Sequence, residues 1–199
     1  MELTYDKDGL IPVVVQDSVT SEILMVAWAN KEAVELMIRT GYTHFWSRSR
    51  KKLWKKGEES GHYQKIISIQ TDCDTDTLLV RAEQTGAACH NGTPSCFNEV
   101  IYGDLGGTSA ILPELMRVIK KRKEDPSKES YTCKLFSDEN KMCKKIVEEA
   151  GEFAISIKDG DEKEMAWELA DLIYHVIVAI EKTGLPMNKV FEKLSERRQ

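Results

Sequence analysis

The spacing of hydrophobic residues changes near residue 105, and this change constrains the fold of the 199-residue chain most strongly. Before that point, apolar and β-branched residues form short runs of the kind found in strands. Beyond it, apolar residues recur about every 3.6 positions, as on one face of a helix. Residues 103–109 are rich in glycine and small side chains and mark a boundary. The sequence therefore predicts a β-rich α+β domain at 1–104 and an all-α helical-bundle domain at 105–199.

Turn and capping residues divide each half into elements. In the first half, strands are predicted at 11–16, 23–28, 42–47, 63–71 and 77–83, with the first two forming a hairpin. Asn30 can cap a helix that continues to about Thr40 and ends at Gly41. A basic segment at 47–57 is predicted to be a loop. In the second half, helices are predicted at about 110–123, 137–158, 161–183 and 187–197.

The charge and the cysteine content narrow the classes of function. A formal net charge of -5 does not exclude nucleic acid, but it excludes a surface that binds polyanions along the whole chain. The expected partners are small molecules and not nucleic acids. The absence of a leader pattern and of an apolar run of about 20 residues predicts a cytoplasmic protein with no membrane contact. The five cysteines are odd in number, which favours free thiols or metal ligands over a disulfide framework.

Three aspartates alternate with other residues in the segment 72–76. If the segment is extended, Asp72, Asp74 and Asp76 project from one face and Cys73 projects from the other. Three like charges at this spacing repel one another unless a cation neutralises them, and carboxylate oxygens favour a hard ion such as Mg²⁺. The alternative is a solvated acidic turn without an ion.

Two further cysteines, Cys89 and Cys96, flank a short loop, and Cys73 could add a third thiolate. Soft thiolates select Zn²⁺, and three protein ligands leave a fourth position for an activated water. His90, beside Cys89, could act as a general acid or base near pH 7. The alternative is that these are ordinary buried cysteines, which behave as small hydrophobic residues.

The basic segment offers groups that could bind a phosphorylated ligand. Arg48, Arg50 and Lys52 supply cationic donors, and Trp54 could stack on a nucleotide base. His62 is a further candidate for substrate binding. The alternative is a solvated, lysine-rich turn.

Two of the predicted helices carry acidic residues at helical spacing. Glu148, Glu149 and Glu152 fall within about 100° of one another on a helical wheel, with Glu149 at the margin of the apolar stripe, and Glu168 and Asp171 share an arc of the next helix. Like-charge pairs four residues apart cost about 0.2–0.5 kcal/mol unless they are compensated. Facing each other, the helices would form an oxygen cage for Mg²⁺ and a phosphate chain. The alternative is a solvated helix face.

The first half resembles phosphoribosyl-AMP cyclohydrolase in three ordered motifs. These are the segment 44–62, the Asp-Cys-Asp-Thr-Asp at 72–76, and the two cysteines at 89 and 96 with a histidine after the first. The second half resembles phosphoribosyl-ATP pyrophosphohydrolase, a relative of the all-α nucleoside triphosphate pyrophosphatases, at 125–132, 148–152 and 168–175. The resemblance covers nearly the whole chain, in the order found in the bifunctional enzyme of histidine biosynthesis.

This resemblance implies an ATP-binding, metal-dependent enzyme with two consecutive hydrolyses. The second domain would cleave phosphoribosyl-ATP to phosphoribosyl-AMP and pyrophosphate. The first would then open the adenine ring of phosphoribosyl-AMP at the N1–C6 bond. In the family, zinc is bound by ligands shared across a homodimer, at positions that match Cys73, Cys89 and Cys96. Mg²⁺ is bound at positions that match Asp72, Asp74 and Asp76.

The resemblance also implies roles for the remaining candidates. His90 would transfer protons in the first domain, and Glu149 would be catalytic in the second. Substrate would be contacted by Arg48, Arg50, Lys52, Trp54 and His62. Mg²⁺ and the triphosphate would be bound in the second domain by Glu148, Glu149, Glu152, Glu168 and Asp171. One departure is Val147, which stands where the family pattern has a glycine, and it removes no ligand.

Two rival interpretations remain open at this point. A zinc-containing RNA-binding module would use the basic segment and the thiols without catalysis, but it leaves both sets of carboxylates without a purpose. A single-activity nucleotide pyrophosphatase would carry a zinc-binding N-terminal domain that catalyses nothing. The products formed from phosphoribosyl-ATP distinguish this second rival from a two-step enzyme.

Overall fold

The computed structural model describes residues 2–198, which form two compact units that divide between Gly106 and Gly107. The division lies close to the predicted boundary. The strands of the described chain all lie in the N-terminal unit together with one helix, and the C-terminal unit is helical. The predicted fold class, a β-rich α+β domain followed by an all-α domain, is thereby confirmed.

Six strands and one helix build the N-terminal unit: β1 (Leu10–Asp17), β2 (Ile23–Asn30), α1 (Lys31–Thr40), β3 (His44–Ser47), β4 (Lys52–Lys55), β5 (Gln64–Thr71) and β6 (Leu78–Gln84). Four strands form a mixed sheet in the order β2-β1-β6-β5, in which β1 and β6 are parallel and the other neighbours are antiparallel. The predicted hairpin of β1 and β2 is confirmed. Strands β3 and β4 form a separate antiparallel pair.

The core of this unit follows from the strand and helix periods. Alternate residues of β1 and one face of α1 are fully buried in one hydrophobic cluster, among them Ile11, Val13, Val15, Ala33 and Met37. Helix α1 begins after Asn30, whose side chain accepts a hydrogen bond from the N–H of Ala33. It ends at Gly41, which has a left-handed backbone (φ 71°). Both ends lie where the sequence predicts them.

The prediction of an unbroken loop at 47–57 is wrong, because strand β4 lies within it. Strand β4 pairs with β3, and the rings of Trp54 and Phe45 pack with their centroids 4.9 Å apart. Leu53 and Trp54 also pack against the main core. Burial of these two side chains favours an extended backbone, although lysines on both sides of the pair give the segment the composition of a solvated turn.

The C-terminal unit consists of five α-helices and a terminal 3₁₀ turn: α2 (Ile111–Glu124), α3 (Tyr131–Ser137), α4 (Glu139–Asp159), α5 (Glu162–Thr183), α6 (Met187–Ser195) and 196–198. All of the α-helices but α3 lie close to predicted helices, and the 3₁₀ turn overlaps the end of the last one. The core is small and contains Ile119, Leu135, Met142 and Val178. Helices α4 and α5 pack against each other, which brings their acidic segments together. Within residues 2–198 we find no helical segment with the length and hydropathy of a membrane span.

Candidate active sites

The acidic segment at 72–76 connects β5 to β6 and forms a tight turn, so the extended geometry considered for it is wrong. Asp72 Oδ1 accepts hydrogen bonds from the N–H groups of Asp76 (3.1 Å) and Thr77 (3.2 Å). Desolvation would raise the pKa of Asp72, but these hydrogen bonds outweigh it and lower the pKa. A turn therefore gathers Asp72, Asp74 and Asp76, whose ligand oxygens lie within 4.8 Å of one another.

The N-terminal segment is hydrogen-bonded to this turn, although the two lie about 70 residues apart in the sequence. The N–H of Thr4 donates to the carbonyl of Thr75 (2.9 Å), and the two threonine hydroxyls lie 3.0 Å apart. Thr75 has a φ of 63°, in the left-handed region that β-branched residues rarely occupy. Thr4 thus helps to hold a strained residue between Asp74 and Asp76, and no sequence pattern selects it for that purpose.

Cys89 and Cys96, at the two ends of their loop, line the same cavity and lie close enough for each thiol to shift the pKa of the other. The N–H of Cys96 donates to the carbonyl of Leu24 in β2 (2.8 Å), which ties the loop to the sheet. Hydrogen bonds within the loop, first that from Asn91, lower the pKa of the Cys89 thiol and favour the thiolate that binds metals. Cys73 is exposed in the acidic turn, and no cluster of ligand atoms in residues 2–198 unites it with these two cysteines.

A cavity of about 500 Å³ opens beside the thiols. His90 lines it, with Nδ1 3.9 Å from the Sγ of Cys89. Three of the five predicted substrate-binding side chains line the same cavity: Arg50, Trp54 and His62. Lys56 lines it too, although the sequence did not single it out. Burial lowers the pKa of Lys56, and the nearby Cys96 and Cys89 act in the opposite direction.

A neighbouring cavity of about 390 Å³ shares Arg50 and Trp54 with the first. Lys52 lines it beside Ser47 and Ser49 of the basic segment, and beside Trp28 and Trp46, which the sequence did not single out. Arg48 lines neither cavity; its guanidinium carbon lies 4.7 Å from the ring centre of Trp28, in a cation–π contact. The two cavities together offer cationic donors, hydroxyls and aromatic faces, which suit a phosphorylated nucleotide.

Two glycines make room for His62. A Cβ atom at Gly86 would lie 2.5 Å from His62 Cδ2, and a Cβ atom at Gly57 would lie 2.6 Å from the His62 carbonyl carbon. Both glycines also have a positive φ, 66° and 85° respectively. Placement of the His62 ring at the first cavity therefore requires bare backbone at both positions.

The acidic residues of α4 and α5 form two clusters that share one carboxylate. In each cluster the ligand oxygens lie within 4.8 Å of one another, and the members are Glu148, Glu149 and Glu152 in one, and Glu149, Glu168 and Asp171 in the other. The structure thus brings together all five acidic residues that the sequence selects. Glu149, the shared member, is only 3% exposed. An all-oxygen donor set of this kind suits a hard divalent cation.

Lys145, which the sequence did not single out, supplies positive charge to these clusters. Its Nζ lies 3.0 Å from Glu148 Oε1 and 2.5 Å from Glu149 Oε1. Burial would raise the pKa of Glu149, but the hydrogen bond and charge of Lys145 outweigh it and lower the pKa. Desolvation, and then the charge of Glu152, raise the pKa of Glu168. The site therefore favours the ionised form of Glu149 and disfavours that of Glu168. This difference is expected where several carboxylates share too little positive charge.

His175 is buried next to Glu149 in the same site. Its Nδ1–H donates to the carbonyl of Asp171 (2.8 Å), and its Nε2 lies 3.2 Å from the hydroxyl of Tyr131. His175 Nδ1 lies 3.9 Å from Glu149 Oε1, whereas the ammonium of Lys145 lies 2.5 Å from the same oxygen.

Carboxylate clusters occur in both units, and the N-terminal unit adds two thiols and cavities lined by cationic and aromatic groups. These are the features expected of a two-domain, metal-dependent hydrolase. Residues 25–98 match the family model of phosphoribosyl-AMP cyclohydrolase, and residues 112–198 match that of phosphoribosyl-ATP pyrophosphohydrolase. The chain is similar to histidine biosynthesis bifunctional protein HisIE of several bacteria. Identity is 48% with the Lactococcus lactis protein and 44% with that of a Nostoc species, in both cases over 100% of this chain and 93% of the relative. It is 43% with the Halalkalibacterium halodurans protein, over 98% and 95%.

The chain therefore belongs to the family of bifunctional histidine-biosynthesis enzymes that join a phosphoribosyl-AMP cyclohydrolase domain to a phosphoribosyl-ATP pyrophosphohydrolase domain. The family resemblance predicted for each half of the sequence is confirmed. The match of residues 25–98 to an enzyme family favours two activities over a pyrophosphatase with a non-catalytic N-terminal domain. It equally disfavours a zinc-containing RNA-binding module.

Proposed function

We propose that the two units catalyse consecutive hydrolyses of one nucleotide. The C-terminal unit cleaves phosphoribosyl-ATP to phosphoribosyl-AMP and pyrophosphate, and the N-terminal unit then opens the adenine ring at the N1–C6 bond. The observation that supports this division is that both units have a carboxylate cluster, and that in the N-terminal unit two thiols and a histidine also line one cavity. Phosphate chemistry needs cations and a water, whereas attack on a ring carbon also needs a strongly activated water and a proton carrier.

In the C-terminal unit, Mg²⁺ and the triphosphate are held by Glu148, Glu149, Glu152, Glu168 and Asp171. Mg²⁺ bound there supplies charge neutralisation for the phosphates and activates the attacking water. Glu149 is the proposed catalytic residue, because it is buried, belongs to both clusters and is kept ionised by Lys145. The deep position of its carboxylate fixes where a cation and its water can lie.

In the N-terminal unit, a second Mg²⁺ is held by Asp72, Asp74 and Asp76, and Zn²⁺ is held by Cys73, Cys89 and Cys96. Zinc bound by these thiolates would supply a water of lowered pKa as the nucleophile. His90 accepts and returns the proton, a role supported by its exposed ring beside Cys89 at the cavity. The lowered pKa of Cys89 supports its assignment as a thiolate ligand.

The substrate of the N-terminal unit lies in the two cavities beside the thiols. Arg50, which lines both, and Lys52 hold phosphates, Trp54 stacks on the base, and His62 contacts the ligand at the first cavity. Arg48, whose guanidinium lies over the ring of Trp28 beside the second cavity, contacts a further phosphate. The partners of the chain are therefore small-molecule nucleotides rather than nucleic acids or membranes, and the cytoplasm is the expected compartment.

We propose further that the chain forms a homodimer in which zinc ligands come from both copies. Two thiols already lie side by side, whereas Cys73 is exposed on the separate acidic turn. A catalytic zinc site needs three protein ligands. Cys73 of one copy would complete the pair formed by Cys89 and Cys96 of the other.

The assignment of one activity to each unit is tested with two variants of the full chain. Cys89→Ala should lose bound zinc and ring opening while pyrophosphate release from phosphoribosyl-ATP continues. Glu149→Gln should lose pyrophosphate release but still open the ring of added phosphoribosyl-AMP. Matched controls are Cys143→Ala and Glu192→Gln, which change exposed residues outside both sites and should retain both activities. Loss of both activities in either test variant would contradict independent sites.

A further inference from the structure

Lys145 occupies the carboxylate site of the C-terminal unit in the manner of a counter-ion. Its single ammonium group contacts Glu148 and Glu149 at once, and both carboxylates belong to one of the clusters described above. Glu149 also belongs to the second cluster. The lysine therefore lies at the one carboxylate that a cation in either cluster would use.

This ion pair has a clear physical purpose when no metal is bound. The side chain of Glu149 is 3% exposed, and a buried carboxylate is costly unless a positive group compensates it. Lys145 is 25% exposed and extends from the same helix four residues earlier, so its ammonium can reach solvent without any movement of the backbone. A divalent cation and an ammonium on the same carboxylate repel each other, so the arrival of one weakens the binding of the other.

We propose that Lys145 is an exchangeable counter-ion and a substrate-positioning residue. It neutralises Glu148 and Glu149 before the divalent cation binds, leaves them when the cation arrives, and then contacts the anionic phosphates that the cation brings. This inference rests on the proposed pyrophosphohydrolase function of the C-terminal unit. The same flexible side chain thus compensates negative charge first on the protein and then on the substrate.

Removal of the lysine charge should have opposite effects on the affinity for the cation and on the affinity for the substrate. Removal of Lys145 should strengthen binding of a divalent cation in the absence of substrate, because no ion pair has to be broken. It should weaken binding of phosphoribosyl-ATP in the presence of the cation, because a phosphate contact is lost. A lysine that only stabilised the fold would produce neither increase in cation affinity nor a selective rise in KM.

The test measures Mn²⁺ binding and pyrophosphate release with the full chain. All proteins carry Asp74→Asn and Asp76→Asn, so that the acidic turn of the other unit does not contribute a Mn²⁺ site. Lys145→Met should bind Mn²⁺ roughly tenfold more tightly by calorimetric titration, as expected when a charge-assisted hydrogen bond no longer competes. Its KM for phosphoribosyl-ATP at saturating Mn²⁺ should rise about tenfold or more, with a smaller change in kcat. Lys144→Met, which removes an exposed charge from the adjacent position, should change neither quantity.

Two additional variants separate the possible failures. If Lys145→Met does not fold, Lys145→Gln keeps a hydrogen-bond donor without the charge and carries the same expectations. Unchanged or weaker Mn²⁺ binding, or an unchanged KM, in the variant that folds would overturn the counter-ion role. If Glu149→Gln leaves Mn²⁺ binding of the background protein unaltered, the proposed metal site itself fails and the inference fails with it. If Glu149→Gln abolishes binding while the Lys145 variants do not strengthen it, only the inference fails.

Discussion

Substitution of Gly86 by alanine should displace His62 and thereby impair ring opening without affecting pyrophosphate release. Gly86 lies beyond strand β6, and its hydrogen atoms face the imidazole ring of His62. The added Cβ would lie 2.5 Å from Cδ2 and 2.8 Å from Nε2 of that ring, whereas ordinary contacts begin at 3.4 Å. The ring must therefore move by almost an ångström or leave the cavity.

The expected cost has two parts that the structure allows us to separate. Gly86 has a φ of 66°, and an alanine in the left-handed region costs about 1–2 kcal/mol. Displacement of a packed side chain adds about 1–3 kcal/mol. Gly9 is the matched control, because its φ is 71° and a Cβ atom added there would meet no other atom within 4 Å. Gly9→Ala should therefore show only the first part.

Thermal unfolding and steady-state kinetics of both variants provide the assay. Each kcal/mol lost should lower the Tm of the N-terminal unit by about 4–8 °C, so Gly86→Ala should melt below Gly9→Ala by a clear margin. The kcat/KM for phosphoribosyl-AMP should fall about tenfold to a hundredfold in Gly86→Ala, as expected for misplacement of a substrate contact by about 1 Å. Equal Tm values and equal kcat/KM values for the two variants would refute the assigned role of the His62–Gly86 contact.

Two other predictions address the assembly and the carboxylate site. If zinc ligands are shared, mixing Cys73→Ala chains with Cys89→Ala chains should partly restore zinc binding and ring opening, because a mixed dimer contains one intact site. No recovery after subunit exchange would contradict shared ligands. The pKa of Glu149 is lowered from its ordinary 4.5, so its stabilising effect is complete above that pH and is lost as the pH falls through the lowered value. The difference in Tm between wild type and Glu149→Gln, measured without metal, should therefore shrink on acidification below about pH 4.5, and a constant difference would refute this.

Elements whose ends or periods are set by local residues could be predicted from the sequence, whereas short elements that depend on packing could not. Helix α1 is an example of the first kind, since Asn30 and Gly41 mark its ends by side-chain capping and left-handed backbone, both of which are local properties. Strand β4 is an example of the second kind. Its two apolar residues, Leu53 and Trp54, lie among lysines, and only their packing against the core explains the extended backbone. Helix α3 has seven residues, too few to show a helical period.

The candidate sites divide in the same way between local and long-range information. The carboxylates of α4 and α5 could be selected because helical spacing places them on common arcs. Lys145 also has a local signal, as an i,i+4 partner of Glu149, but the like-charge pairs of the same segment are the more conspicuous pattern. The hydrogen bonds of Asp72 to the backbone are a local Asx-turn feature, which the extended geometry overlooked. The contact of Thr4 with Thr75 depends on the sheet topology and has no sequence signal.

A single time course tests most directly whether one chain performs the two hydrolyses in order. Purified wild-type protein is incubated with phosphoribosyl-ATP, Mg²⁺ and Zn²⁺, and pyrophosphate, phosphoribosyl-AMP and the ring-opened product are quantified together. We expect pyrophosphate to form first, phosphoribosyl-AMP to rise and then fall, and the ring-opened product to approach the amount of pyrophosphate. Accumulation of phosphoribosyl-AMP with no ring-opened product would contradict the two-step function.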